Sequence, residues 1–144
     1  MSIQSSLLDR GGVLPASPTK LVGRETEVAV TGALLRDPDV RLMTLTGPGG
    51  VGKTRLALAV ADALDAEFAD GACFVPLAAV ADLEMVVPAL ADVFGVRETG
   101  GRPLAEALVE SMRRHHCLLV LDNFEQVVAA APVVQPAGRD RRLR

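Results

Sequence analysis

The chain has 144 residues, a size typical of one domain, and its formal net charge of −3 disfavours nucleic acid as the partner of the whole chain. Apolar residues make up 49% of the sequence and aromatic residues only 3%, which favours helices layered on a sheet over an aromatic-rich sandwich. No apolar run is long enough to cross a bilayer and no secretory leader pattern opens the chain, so we expect a cytoplasmic protein with no membrane partner.

Three regions follow one another along the chain. Residues 1–20 are rich in Gly, Pro and Ser and predict an extended lead-in, whereas residues 21–132 predict the folded domain. Residues 133–144 form a tail that holds four arginines and is predicted to be disordered.

The first half of the domain predicts a helix, a strand, a glycine-rich loop and a second helix. The first helix covers about residues 24–36, with Val28, Leu34 and Leu35 on its apolar side. The strand is Val40–Thr46, and the second helix runs from Lys53 to about Phe68.

The second half repeats the alternation of strands and helices. The predicted strands are Ala72–Leu77 and Cys117–Asp122, the latter apolar enough to be buried on both faces. Helices are predicted over 82–95, with a kink at Pro88, over 102–116, and over 124–131. Alternating strands and helices predict an α/β fold in which a parallel sheet lies between two layers of helices. The cysteines, Cys73 and Cys117, lie in apolar runs and are predicted to be buried thiols.

The glycine-rich loop matches the phosphate-binding motif G-x-x-x-x-G-K-[ST] at every fixed position. Glycines let backbone amides approach a phosphate closely, and the following helix adds the positive end of its dipole. Lys53 is predicted to reach the β- and γ-phosphates as a catalytic residue, and the Thr54 hydroxyl to ligate Mg²⁺. The predicted nucleotide-binding residues of the loop are Gly47, Pro48, Gly49, Gly50, Val51, Gly52, Lys53, Thr54 and Arg55.

A second magnesium ligand is predicted at Asp122, because this carboxylate ends an apolar strand downstream of the loop. The alternative is that Asp122 caps the following helix. Hydrolysis also needs a group that orients the attacking water, and Glu125 is the nearest downstream carboxylate, although it could equally face solvent. Asn123 cannot act as a base, and His115 and His116 are interpreted as solvated or as complementing a helix dipole.

These motifs together resemble the STAND class of signalling ATPases, and within it the NB-ARC-type nucleotide-binding domains of bacterial transcriptional regulators of the LuxR and antibiotic-regulatory types. The resemblance covers about residues 14–134 and includes "LPASPTKLVGRETEV", "LMTLTGPGGVGKTRLALAVA" and "LLVLDNFEQV". It implies that Val22, Gly23 and Arg24 contact the adenine or ribose, although Arg24 could instead be an exposed charge that opens the first helix. It also implies an ATP/ADP switch with slow hydrolysis, self-association through the ATPase domain, and DNA binding only through other domains.

The sequence departs from that family at Asn123, where many relatives have a second acid, and after Val134. The family continues with a strand that lies between the loop strand and the Asp122 strand, and no such strand follows here. We therefore expect a P-loop NTPase fold that is incomplete at its C-terminal end, from a truncated or frame-shifted gene product. The alternatives are a non-catalytic nucleotide-binding fragment and a small P-loop kinase.

Overall fold

A computed structural model describes residues 14–17, 19–80 and 83–124 of the chain. Within these ranges the α-helices are α1 (Glu25–Arg36), α2 (Lys53–Leu64), α3 (Val86–Phe94) and α4 (Leu104–Met112). The strands are β1 (Ala72–Pro76) and β2 (Leu118–Asp122), and short 3₁₀ turns cover Asp65–Glu67 and Leu83–Met85. The predicted order of helices and strands is confirmed from α1 to β2, except for the strand predicted over Val40–Thr46.

The two strands form a parallel sheet whose register runs from Ala72 opposite Leu118 to Pro76 opposite Asp122. Parallel neighbours need a long crossover connection, and here α3 and α4 supply it. The carboxyl ends of both strands therefore lie at the same edge of the sheet.

Each face of the sheet carries its own hydrophobic core. On one face α3 and α4 pack against alternate strand residues; the buried members are Cys73, Val75, Leu77, Val80, Val86, Leu90, Phe94, Leu108, Met112 and Cys117. On the other face α1 and α2 pack; the buried members are Leu35, Leu56, Val60, Ala61, Leu64, Ala72 and Leu118. The three-layer α/β arrangement predicted from the sequence is confirmed.

The segment Val40–Thr46, predicted as a strand, is not part of a hydrogen-bonded ladder. Its exposure nevertheless alternates with period two: Met43 and Leu45 are half-buried against the α1/α2 core, whereas Leu42 and Thr44 are exposed. A strand forms only when a neighbour takes up its amides and carbonyls, and the described sheet holds only β1 and β2. The β-type pattern is present in the sequence, but the pairing partner is not among the described residues.

Three further predictions were wrong in detail. Leu34 is 49% exposed, so Leu35 and not Leu34 carries the apolar side of α1 near its end. Pro88 lies in the first turn of α3, where a missing amide breaks no helical hydrogen bond, so no kink follows. Beyond Leu118, β2 is only half-buried, so this strand is not buried on both faces. The helix predicted over 124–131 lies outside the described residues except for Phe124.

Both cysteines are fully buried free thiols, as predicted. A hydrogen bond with the Cys73 sulfur, together with burial, raises the pKa of the Cys117 thiol well above its usual range. Among the described helices, none combines the length and the apolar character that a membrane crossing requires.

The burial of Leu35 predicts a clear difference between two adjacent leucines of α1. We expect Leu35→Ala to lower the free energy of unfolding by about 2–5 kcal/mol, because it leaves a cavity against α2. Leu34→Ala should cost less than about 1 kcal/mol, because that side chain is half exposed. Urea unfolding followed by circular dichroism measures both values; equal effects would contradict the described face of α1.

A second stability prediction concerns Gly71, which precedes β1 with φ 71°. A Cβ there would lie 2.9 Å from Asp65 Oδ1, the atom that accepts the Ala72 amide at 2.7 Å. Gly100 has a similar φ of 66° but open space around it. We expect both Gly→Ala variants to lose about 1–2 kcal/mol from the left-handed backbone, and Gly71→Ala to lose about 1 kcal/mol more. Equal losses in urea unfolding would show that the Asp65 contact contributes nothing.

Candidate functional site

The glycine-rich loop connects the 40–46 segment to α2. Gly50 and Gly52 have φ values of 81° and 80°, which favour glycine because a side chain would strain the backbone. Gly52 is the N-cap of α2, and its carbonyl accepts the first helical hydrogen bond from the Leu56 amide at 2.9 Å. No side chain among the described residues caps this helix, so the amides of its first turn are available to an anion.

Lys53, the first residue of α2, folds its side chain back over the loop. Its ammonium donates to the carbonyls of Gly47 at 2.5 Å and Pro48 at 3.3 Å. A Cβ at Gly47 would lie only 3.2 Å from the Val51 side chain, so the loop leaves little space for a side chain at this residue. The positive charge of Lys53 therefore lies directly on the loop that carries the free amides.

Thr54 and Asp122 meet although 68 residues separate them in sequence. The Thr54 hydroxyl donates to Asp122 Oδ1 at 2.7 Å in a partly buried position. Thr54 lies in the first turn of α2, and Asp122 is the last residue of β2. The structure thus brings the two predicted magnesium ligands together, at the carboxyl edge of the sheet where ligands of open α/β folds bind.

Residues just after β2 are described only in part. Asn123 has a φ of 58°, a left-handed conformation that asparagine tolerates better than most residues. Glu125, predicted to orient the attacking water, lies outside the described residues. His115 and His116 are half-buried rather than solvated; His115 Nδ1 lies 2.8 Å from the Ser111 carbonyl in the last turn of α4.

Arg24 precedes α1 and contacts the loop backbone. Its Nη1 donates to the Val51 carbonyl at 2.8 Å and lies 3.4 Å from the Gly52 carbonyl. Its Nε and Nη2 donate to the two carboxylate oxygens of Glu27 at 2.5 and 2.8 Å. The hydrogen bond from Arg24 lowers the pKa of the Glu27 carboxyl below its usual value.

The other predicted nucleotide contacts lie on the segment before α1 and at the start of α2. Arg55 donates to the Thr19 hydroxyl at 2.7 Å and to the Thr19 carbonyl at 3.2 Å, which holds the lead-in against α2. Val22, two residues before Arg24, is 83% exposed. Gly23 adopts φ 78° and has open space beside it.

A cleft of about 390 Å³ lies between α1, the 44–46 segment and the loop. This volume is within the range of small-molecule pockets, roughly 300–1,000 Å³. Its lining combines hydroxyls, one ion pair and apolar side chains: Arg24, Thr26, Glu27, Val30, Thr31, Thr44, Leu45, Thr46, Val51, Lys53 and Leu56.

Sequence reasoning missed Glu27 and Thr19 as parts of this arrangement. Glu27 carried a usable signal, because a charge pair at positions i and i+3 at the start of a helix is a known side-chain pairing. The contact of Arg24 with Val51 left no signal in the sequence, because the arginine bonds a backbone carbonyl 27 residues away.

The sequence is similar to parts of longer mycobacterial proteins. It is 41% identical over 100 residues to a protein of Mycobacterium tuberculosis named "Putative HTH-type transcriptional regulator", and equally to a protein of that name in Mycobacterium bovis. Those alignments cover 68% of this chain and 11% of each relative. A second Mycobacterium tuberculosis protein, named only as uncharacterized, is 35% identical over 116 residues, covering 81% of this chain and 29% of its own.

This chain therefore spans about a tenth of the regulators it matches and less than a third of the other relative. No solved structure matches it significantly. A family model described as "AAA ATPase domain" matches residues 20–137, which include the glycine-rich loop, the Thr54–Asp122 pair and both cores. The chain belongs to this family of ATPase domains, within the P-loop NTPase superfamily.

Proposed function

We propose that this chain is the ATP/ADP-binding switch module of a signalling ATPase that regulates transcription, of the STAND class and NB-ARC type. The observation that carries the proposal is the contact between the Thr54 hydroxyl and Asp122 beside a loop of free amides. That arrangement provides a phosphate-binding surface and an oxygen-donor pair at one edge of the sheet. The regulator name of two relatives supports the biological role.

The phosphate tail would lie on the loop from Gly47 to Thr54. The uncapped amides at the start of α2 and the positive end of the helix dipole would stabilise its negative charge. The Lys53 ammonium, which already lies over the loop, would donate to the β- and γ-phosphates.

The residues around Thr54 fit a magnesium ion. A hydroxyl and a carboxylate 2.7 Å apart are two hard oxygen donors, and their half-buried position leaves room for water and phosphate oxygens. Thr54 and Asp122 would hold the ion, Asp122 either directly or through a water molecule. When bound, Mg²⁺ neutralises phosphate charge and fixes the orientation of the phosphate tail.

The base would lie on the α1 side of the loop. Val22 offers an exposed apolar surface there, and Gly23 allows the backbone to approach closely. The cleft lined by α1 and the 44–46 segment is large enough for a purine ring.

Hydrolysis is proposed to be slow and to require a longer domain. Asn123 cannot remove a proton from water, which leaves Glu125 as the proposed orienting residue. The 40–46 segment has the alternating exposure of a strand, and β2 presents an unpaired edge in the described sheet. We propose that a further strand pairs with both in the complete ATPase domain.

The switch role requires that ATP and ADP bind two states of the domain with different free energies. Because the matched regulators are about nine times longer than the aligned region, other domains would supply DNA binding. Self-association through the ATPase domain of a full-length form is proposed from the resemblance to signalling ATPases alone.

Lys53→Ala tests the nucleotide site directly. We expect the Kd for a fluorescent ATP analogue to rise by about 10–100-fold, because a charged hydrogen bond to phosphate is worth about 1.5–3 kcal/mol. Arg114→Ala is the matched control: it removes the same charge from an exposed side chain after α4, on the other side of the sheet. Unchanged affinity of Lys53→Ala would overturn the proposed function.

Asp122→Asn tests the magnesium pair. The asparagine can still accept the Thr54 hydrogen bond, but it lacks the charge that holds a divalent ion. Adding magnesium to the EDTA-treated native protein should increase its affinity for ATP. We expect this increase to be about tenfold smaller in Asp122→Asn. Asp92→Asn, an exposed change on α3, should keep the full gain. If Asp122→Asn also keeps it, Asp122 is a helix cap or a structural partner of Thr54 and no more.

A further inference from the structure

Arg24 lines the cleft beside the phosphate loop and bonds both the loop backbone and the Glu27 carboxylate. All three guanidinium nitrogens are engaged, Nε and Nη2 by Glu27 and Nη1 by the loop carbonyls. Its side chain is only 26% exposed, so these bonds are partly shielded from water. These bonds fix the plane of the guanidinium between Glu27 and the loop backbone.

The planar trans peptide bond gives this contact a consequence for the amides. In each peptide unit the carbonyl and the following N–H point in opposite directions. Anchoring the Val51 carbonyl on Arg24 therefore turns the Gly52 amide away from Arg24. The Gly52 carbonyl, 3.4 Å from Arg24, is already held by the Leu56 amide at 2.9 Å. The Gly52 amide belongs to the uncapped start of α2.

Gly52 shows how closely the guanidinium fits the loop. A Cβ at this residue would lie 3.2 Å from Arg24 Nη1, tighter than most real contacts of a Cβ atom. A side chain at Gly52 would therefore press on the Arg24 guanidinium, and the Gly52 backbone itself has a φ of 80°.

We infer that Arg24 is a positioning residue of the phosphate site: held by Glu27, it anchors the Val51 carbonyl and so directs the Gly52 amide toward a bound polyphosphate. The inference rests on the proposed nucleotide site. It differs from a contact between Arg24 and the base or ribose, because a positioning role affects ligands that have neither.

Inorganic tripolyphosphate separates the two roles, because it has the phosphate chain and no nucleoside. We expect Arg24→Ala to raise the Kd values of ATP and of tripolyphosphate by the same factor, about tenfold, in isothermal titration calorimetry. A loss confined to ATP would overturn the inference and assign Arg24 to the base or ribose. An unchanged Kd for both ligands would also overturn it.

Two further variants guard against a merely structural effect. Arg36→Ala removes an arginine from the other end of α1, where it pairs with Glu67, and should leave both Kd values unchanged. Arg24→Lys can keep one donor for the Val51 carbonyl and should recover part of the affinity lost in Arg24→Ala. If Arg36→Ala weakens tripolyphosphate as much as Arg24→Ala does, the effect belongs to α1 packing and the inference fails.

The same measurements distinguish a wrong nucleotide site from a wrong role for Arg24. If the native chain binds neither ligand, or Lys53→Ala binds both as well as the native chain does, the proposed function itself is wrong. If the native chain binds both and Lys53→Ala weakens both while Arg24→Ala weakens neither, only the role of Arg24 is wrong.

Discussion

The hydrogen bond from Thr54 to Asp122 joins the two halves of this molecule. Thr54 belongs to the helix that follows the glycine-rich loop, and Asp122 ends the strand that follows the α3/α4 crossover. The bond forms only if α2 packs on the sheet in the correct register, which the core around Leu64, Ala72 and Leu118 enforces. The chemistry of the site therefore depends on packing at residues that never touch a ligand.

Most of the local structure could be predicted from the sequence. The start of α2 at Lys53, both paired strands and the two buried cysteines follow from motif spacing, apolar runs and β-branched content. These signals are local, so they do not depend on where distant parts of the chain lie. The spacing of the loop and Asp122 also predicted a shared site, because carboxyl ends of parallel strands meet at one edge.

The failures concern properties that local patterns do not determine. Val40–Thr46 has the composition of a strand, but pairing requires a neighbour, which a local pattern cannot reveal. Leu34 and Leu35 are adjacent, and the direction from which α2 approaches decides which one is buried. The loop partner of Arg24 is a backbone carbonyl 27 residues away, and backbone groups leave no trace in residue identity.

The helix α1 is fastened at both ends by arginines. Arg24, just before its first residue, bonds the loop that precedes α2, and Arg36, its last residue, forms a bidentate pair with Glu67 just beyond the end of α2. These two attachments hold α1 against α2 at both ends of the helix, which is about 18 Å long for its 12 residues. A shift of the loop would thus pull on one end of α1 while Arg36 holds the other end beside α2.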